Sequence, residues 1–114
     1  MARRAYVPDA GDVVWLEFDP QSGHEQSGHR PALVLSPSLY NEKAGLMVCC
    51  PLSSKVKGYP FEVALNLAGQ EGVVLSDQVK SLDWRAWKAK KKGEVPGTVL
   101  LEVRARIKAL LSIK

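Results

Sequence analysis

Residues 12–18 read Asp-Val-Val-Trp-Leu-Glu-Phe. β-Branched and aromatic residues dominate. A Pro-Asp-Ala-Gly turn precedes the stretch and Asp19-Pro20 follows it, so the pattern predicts a β-strand. Working outward, Ala32-Leu33-Val34-Leu35 is a continuous apolar run bounded by Pro31 and Pro37, the pattern of a buried strand. Ser38 to Gly45 can hold a helical turn with Gly45 at its C-cap. Leu46 to Leu52 is a second apolar run, and Ser53-Ser54 opens a polar loop. Phe61–Leu67, Gly72–Leu75 and Val79–Trp84 predict three further strands. Short strands at this spacing point to a small sandwich or barrel. The end of the chain changes period. Val99, Val103, Ile107, Leu110 and Leu111 recur at steps of four and three, with Pro96 and Thr98 as start signals. This predicts one amphipathic helix over residues 97–113. The architecture expected is mainly β, a small β-barrel closed by a C-terminal α-helix.

The 114 residues are expected to form a single domain, residues 1–114. An apolar content of 46% and a charged content of 25% are those of an ordinary globular chain rather than a disordered one. No apolar run reaches the roughly 20 residues that a membrane-spanning helix needs. Arg3 and Arg4 are not followed by the apolar core of a secretory signal, so a cytoplasmic protein is expected. Cys49 and Cys50 are adjacent in an apolar run, which reads as two reduced thiols on a buried strand. The net charge of +4 is unevenly spread: residues 1–79 carry 6 basic and 9 acidic side chains, residues 80–114 carry 10 and 3. One cationic face is the footprint of a polyanion binder.

The densest polar cluster is Gly-His-Glu-Gln-Ser-Gly-His-Arg-Pro, residues 23–31, within an aperiodic stretch from 20 to 31. A loop this long tends to be functional. His24, Glu25 and His29 give H-E-x-x-x-H, one residue longer than the zinc motif, and Gly28 and Pro31 oppose the helix that motif needs. No metal is therefore expected. Phosphodiester chemistry on RNA suits the cluster better. RNA carries its own nucleophile in the ribose 2′-hydroxyl, so an enzyme needs a base, an acid and a cation for the phosphorane charge. Glu25 or a neutral histidine can accept a proton, Arg30 can hold two phosphate oxygens, and Ser53 or Ser54 can donate. A second cluster, Trp84, Arg85, Trp87, Lys88 and Lys90–Lys92, interleaves aromatics with cations. It fits base stacking, or else tryptophans wanted for packing, which is the favoured reading, with the lysines in a solvated loop.

Beyond these clusters, the order of blocks resembles a known family. Residues 6–20 (Y-V-P-D-A-G-D-V-V-W-L-E-F-D-P), G-H-E-Q-S-G-H-R-P at 23–31 and A-L-V-L-S-P at 32–37 resemble the start of the MazF/PemK toxins. The likeness continues through Tyr40-Asn41, through K-G-Y-P-F-E at 57–62 and through G-V-V-L-S-D-Q-V-K-S at 72–81, covering nearly the whole chain. The resemblance implies an SH3-like barrel with a C-terminal helix, working as a homodimer. It implies the toxin of a type II toxin–antitoxin system: a metal-independent, ribosome-independent, sequence-specific endoribonuclease on single-stranded RNA, without cofactors. A cognate MazE-like antitoxin, acidic and flexible at its C-terminus, would be the protein partner.

Carried over by position, the resemblance gives Arg30 phosphorane stabilisation, Glu25 the general base and Ser53 a hydroxyl where the family usually has threonine. His24 and Gln26 give the loop the wording of the PemK branch. That branch uses an arginine two residues before the aspartate of its Asp-Gln pair, and here that position is Leu75. Asp77 is accordingly expected to bind RNA or to serve the fold. His29, Asn41, Ser54, Lys57, Gln78 and Lys80 complete the expected RNA contacts, and the cleavage motif is expected to depend on loops such as Lys55–Pro60. Two other readings compete: a non-catalytic CcdB-type toxin that binds DNA gyrase, and a plain RNA-binding module built on Trp84–Lys92.

Overall fold

Three strands at the centre of the sheet are buried on both faces. In the computed structural model, which describes residues 5–17 and 29–114 (His29 through its backbone alone), these are β1 (Asp12–Glu17), β2 (His29–Val34) and β3 (Leu46–Ser53). The antiparallel register sets Val13 opposite Leu33 and Leu33 opposite Cys50, and this row packs into one core. The alternate row, Val14 opposite Ala32 and Val34 opposite Cys49, packs into a second core with Leu16, Met47 and Trp84. Two buried faces explain why these strands read as continuous apolar runs rather than as alternation.

The remaining elements are α1 (Ser38–Ala44), β4 (Glu62–Leu67), β5 (Gln70–Leu75), a 3-10 turn at Ser76–Gln78, β6 (Lys80–Asp83), β7 (Lys90–Glu94) and α2 (Gly97–Leu110). The strands run in the order β4-β5-β3-β2-β1-β7. β3 is long enough to pair with β6 along Leu46–Cys49 and with β5 at Leu52–Ser53. Helix α2 covers the first core, with Val103 fully buried and Val99, Leu100 and Ile107 packed beside it. The two end strands meet through side chains: a Cβ on Gly93 of β7 would stand 3.4 Å from Leu67 of β4. The result is the expected barrel-like curl of antiparallel sheet with a C-terminal helix. Among the described residues no helix is long and apolar enough to cross a membrane.

Four local expectations are corrected. The loop expected over 20–31 gives up its last three residues to β2, where His29, Arg30 and Pro31 pair with Glu17, Leu16 and Trp15. Pro31 is tolerated because the β2–β3 ladder begins only at Ala32, leaving one edge of β2 unpaired there. The lysine run at 90–92 is a strand, not a loop. It lies at the end of the sheet, where lysines discourage further pairing. The C-terminal helix stops at Leu110, before the expected 113. Ser112 adopts a left-handed φ of 57°, and the amides of Ser112 and Ile113 donate to the carbonyls of Ala109 and Lys108, closing the end as a Schellman motif.

The fourth correction concerns Asn41, expected to touch RNA. It is fully buried in α1 and holds the fold together. Its Nδ2 donates to the carbonyls of Pro8 (2.7 Å) and Ser36 (3.0 Å), and its Oδ1 accepts from Ser36 Oγ (2.6 Å). Its own carbonyl accepts from Trp84 Nε1 (2.8 Å) and from the amide of Gly45, whose φ of 73° ends the helix. Trp84 is thus a core residue, as its packing reading anticipated.

Two stability predictions follow from this interior. Asn41→Leu leaves two buried carbonyls without donors, so it should cost about 3 kcal/mol. Urea denaturation would show a lower midpoint at unchanged slope. The thiols of Cys49 and Cys50 are free, buried and on opposite faces of β3. Burial pushes them up to about 11 and about 12, from an ordinary 9.0. Below pH 9 both states keep the protons and stability is unaffected. Above it only the unfolded chain ionises, so stability falls as pH rises toward the folded values. Between pH 8 and 10 the wild type should lose roughly 2 kcal/mol more than the Cys49→Ala/Cys50→Ala variant, measured by urea midpoints at each pH.

Candidate functional site

Arg30 occupies the second position of β2, exposed at the end of the sheet and opposite Leu16 of β1. Two clefts meet at it. Both are lined by Arg30 and Pro31, and they share no other described residue.

The first cleft encloses about 320 Å³ at the mouth of the first core, bounded by Leu52, Leu65 and Leu67. It brings Arg30 together with Ser53 and Ser54, two of the hydroxyls anticipated beside it. Ser53 ends β3, and its Oγ accepts the amide of Lys55 at 3.0 Å. That bond occupies a lone pair and leaves the hydroxyl proton to be donated into the cleft. Gly72 of β5 makes this geometry possible: a Cβ there would stand 2.8 Å from the Ser53 carbonyl oxygen. Any side chain at 72 would push β5 away from the serine.

The same cleft contains a pair that sequence reading does not find. Trp15 lines it, with Lys92 Nζ 4.6 Å from the ring centroid. The cause is a β-bulge. Val13 pairs with Gly93 and Val14 with Lys91, so Lys92 is the extra residue of β7. A bulge re-aims one side chain, and here it carries the ammonium over the indole. Such a contact contributes about 0.5–1 kcal/mol at an exposed site. Gln70 and Glu71 at the start of β5 complete the rim.

The second cleft is smaller, about 210 Å³, and lies on the face of the second core. Arg30 lines it with Gln78 and Lys80, so two of the expected RNA contacts converge on the arginine from the far side. Its walls are Leu16, Pro51, Leu82 and Trp87, over Ala32 and Cys49. The 3-10 turn and the start of β6 position the polar pair.

The other anticipated residues fall elsewhere. His24, Glu25 and Gln26 lie outside the described residues, as does the side chain of His29. Lys57 is exposed on the loop between β3 and β4, its Nζ 5.9 Å from the Tyr59 ring. The Glu62 carboxylate accepts the amides of Lys57 and Gly58 and fixes that loop. Asp77 is exposed in the 3-10 turn, where its charge helps raise the Cys50 thiol. Leu75 ends β5, half-buried, with no guanidinium to contribute. Of the aromatic and basic stretch, Trp87 lines the second cleft, while Arg85 lies 4.3 Å from the Trp84 ring and Lys88 pairs with Glu17 at 3.5 Å.

Comparison with known proteins places this geometry among relatives. The PemK-like, MazF-like toxin family of type II toxin–antitoxin systems matches residues 9–111. The chain is 53% identical over 106 residues to the endoribonuclease toxin MazF of Escherichia coli K12, covering 93% of this chain and 96% of that one. It is 32% identical over 117 residues to the Escherichia coli endoribonuclease PemK, covering 98% and 88%. Its fold is similar to a MazE–MazF crystal structure from Deinococcus radiodurans, with a TM-score of 0.89 and 56% identity over 96% of this chain and all of that one.

Proposed function

The chain belongs to the PemK-like, MazF-like toxin family of type II toxin–antitoxin systems, and from that premise we propose how it works as an endoribonuclease on single-stranded RNA. It is an endoribonuclease toxin, as its relatives are named. The observation that carries the mechanism is the convergence of Arg30 and Ser53 in one cleft, with Lys92 beside them.

The 2′-hydroxyl next to the scissile phosphate attacks phosphorus and expels the 5′-oxygen of the following nucleotide, leaving a 2′,3′-cyclic phosphate. Charge then builds on the non-bridging oxygens. Arg30 meets it with a planar fork that matches two oxygens at once. The Ser53 hydroxyl, its lone pair held by Lys55, donates a further hydrogen bond. Glu25, from the segment between β1 and β2, is the proposed base that takes the 2′-hydroxyl proton, and the departing 5′-oxygen takes a proton from water. Because the substrate supplies the nucleophile, these roles call for neither metal nor cofactor. A gyrase-binding role has no use for an arginine and a serine in one cleft and is not favoured.

Two protein partners belong to the proposal. The Deinococcus MazF was solved with MazE. For this chain a cognate antitoxin with an acidic segment would compete with RNA for Arg30, Lys80 and Lys92, since both ligands are anionic. A second copy of the chain would cover Leu101, Leu110, Leu111 and Ile113, large apolar groups exposed along and beyond α2. The two unpaired thiols suit a reducing cytoplasm.

The test is cleavage of single-stranded RNA in excess chelator. The wild type should cut it and yield cyclic phosphate ends, and RNA with a 2′-deoxy nucleotide at the cut should survive. Arg30→Ala should lower kcat by about 10²–10³-fold, the scale for losing an oxyanion-stabilising group. Ser53→Ala should lower it less and Ser53→Thr should restore it. RNA left intact by the wild type would remove the proposal.

A further inference from the structure

We propose that Glu62 is a positioning residue for cleavage: from the start of β4 it straps down the loop between β3 and β4, and through Lys55 it aims the Ser53 hydroxyl. This deepens the RNA-cutting reading and rests on it. Glu62 lines neither cleft, so it acts through the serine rather than on the RNA.

The loop has no packing of its own. Residues 54–60 are all exposed, Val56 and Tyr59 among them at 66% and 60%. Ordering such a segment costs backbone entropy that burial does not repay, so hydrogen bonds must hold it. The Glu62 carboxylate supplies them at mid-loop. Its Oε1 accepts the Gly58 amide at 2.9 Å and the Lys57 amide at 3.2 Å, and its Oε2 accepts the Lys57 amide at 3.1 Å. Gly58 has a left-handed φ of 83°, and successive amides at such a turn converge on one anion. Hydrogen bonds to a carboxylate are also roughly twice as strong as neutral ones.

The far end of the strap is fixed to rigid elements. Glu62 pairs with Leu75 in the β4–β5 ladder. Arg106 of α2, held by Glu102 at 2.8 Å, donates to the Pro60 carbonyl. The amide of buried Ser76 donates to the Phe61 carbonyl at 3.1 Å. At the near end the Lys55 amide donates to Ser53 Oγ at 3.0 Å, two residues before the first amide that Glu62 holds. The Lys55 bond decides which way the hydroxyl proton points. A backbone released at residues 57 and 58 takes Lys55 with it. Ser53 Oγ then turns among its staggered rotamers, and its proton is no longer aimed into the cleft. The direction of a hydroxyl on β3 is thus set by a carboxylate on β4. The loop expected to govern the cleavage motif gains a part in the chemistry itself.

The experiment is a double-mutant cycle of Glu62→Ala with Ser53→Ala, read as kcat and KM on single-stranded RNA in excess chelator. Glu62→Ala should lower kcat by about tenfold, the scale of one charge-assisted hydrogen bond, with KM little changed. The double variant should fall no further than Ser53→Ala alone, because the two residues act as one unit. Glu62→Gln keeps one acceptor oxygen and should give an intermediate kcat. If Glu62→Ala does not fold, Glu62→Gln carries the same cycle. Amide hydrogen exchange supplies a readout independent of activity: Lys57 and Gly58 should exchange faster in the variant while the β4–β5 ladder keeps its protection. The inference is overturned if those two amides exchange no faster or if kcat stays at the wild-type value. It is also overturned if only KM rises, or if the double variant falls by the product of the two single losses. A wild type that cuts no RNA would instead remove the reading beneath it, so the two failures are distinguishable.

Discussion

Burial of β1, β2 and β3 on both faces is the constraint on which everything else depends. Strand side chains alternate, so a slip of β1 by one residue against β2 would send Val13 into the second core and Val14 into the first. Both cores are closed, one by α2 and one by Trp84, so neither has room for the exchange. The same parity fixes the chemistry. Arg30 stands opposite Leu16 because Leu33 stands opposite Val13. An apolar register several residues away thus decides which face the guanidinium leaves from. A rigid central strand holds the arginine more precisely than a loop would.

The ends of the sheet solve a different problem. A curled sheet with unjoined edges invites pairing with other chains. Here β7 carries Lys90, Lys91 and Lys92, and its Gly93 approaches Leu67 of β4 closely. The bulge that accommodates this curl also frees Lys92 to point at Trp15. One irregularity therefore serves shape and site together. Asn41 ties α1 to Pro8, Ser36 and Trp84, and no buried side-chain polar atom among the described residues is left unsatisfied. A buried amide can be tolerated only when each of its hydrogen-bonding groups is answered.

What the sequence reveals and what it hides divide along physical lines. Strands with two buried faces announce themselves as apolar runs, so β1, β2 and β3 are legible from Val13-Val14, Ala32–Val34 and Met47–Cys50. Strand β7 is not, because its stability comes from one partner and its composition is chosen for repulsion. The last turn of α2 misleads in the other direction: Leu110 and Leu111 keep the period, but a left-handed Ser112 ends the helix before they can pack. Family resemblance singles out Arg30 and Ser53, and the clefts show why they belong together. It also singles out Asn41, which is a fold residue, because a block of shared residues records packing and chemistry alike. The pairing of Lys92 with Trp15 escapes both approaches, since a bulge exists only in the pairing of two strands and leaves no mark in either alone.

The uneven charge gains its meaning from the same topology. Counted along the chain, the basic residues gather after residue 79, far from Arg30. Folded, Lys80 enters from β6 into one cleft and Lys92 from β7 into the other, so two cations from the basic third stand on either side of one arginine from the acidic part. That spacing suits a polymer of phosphates better than a single anion. A lone phosphate needs only Arg30, whereas a strand crossing the end of β2 finds a counter-charge beneath the cut and one on each face beyond it. The acidic residues nearby do not cancel this pattern: Glu71 lies at the rim of the first cleft, while Glu94 and the buried Asp12 are engaged with Lys91. Lys92 and Lys80 are thereby left as the cations that face the two clefts, and charge that looks like a tail in the sequence becomes a track in the fold.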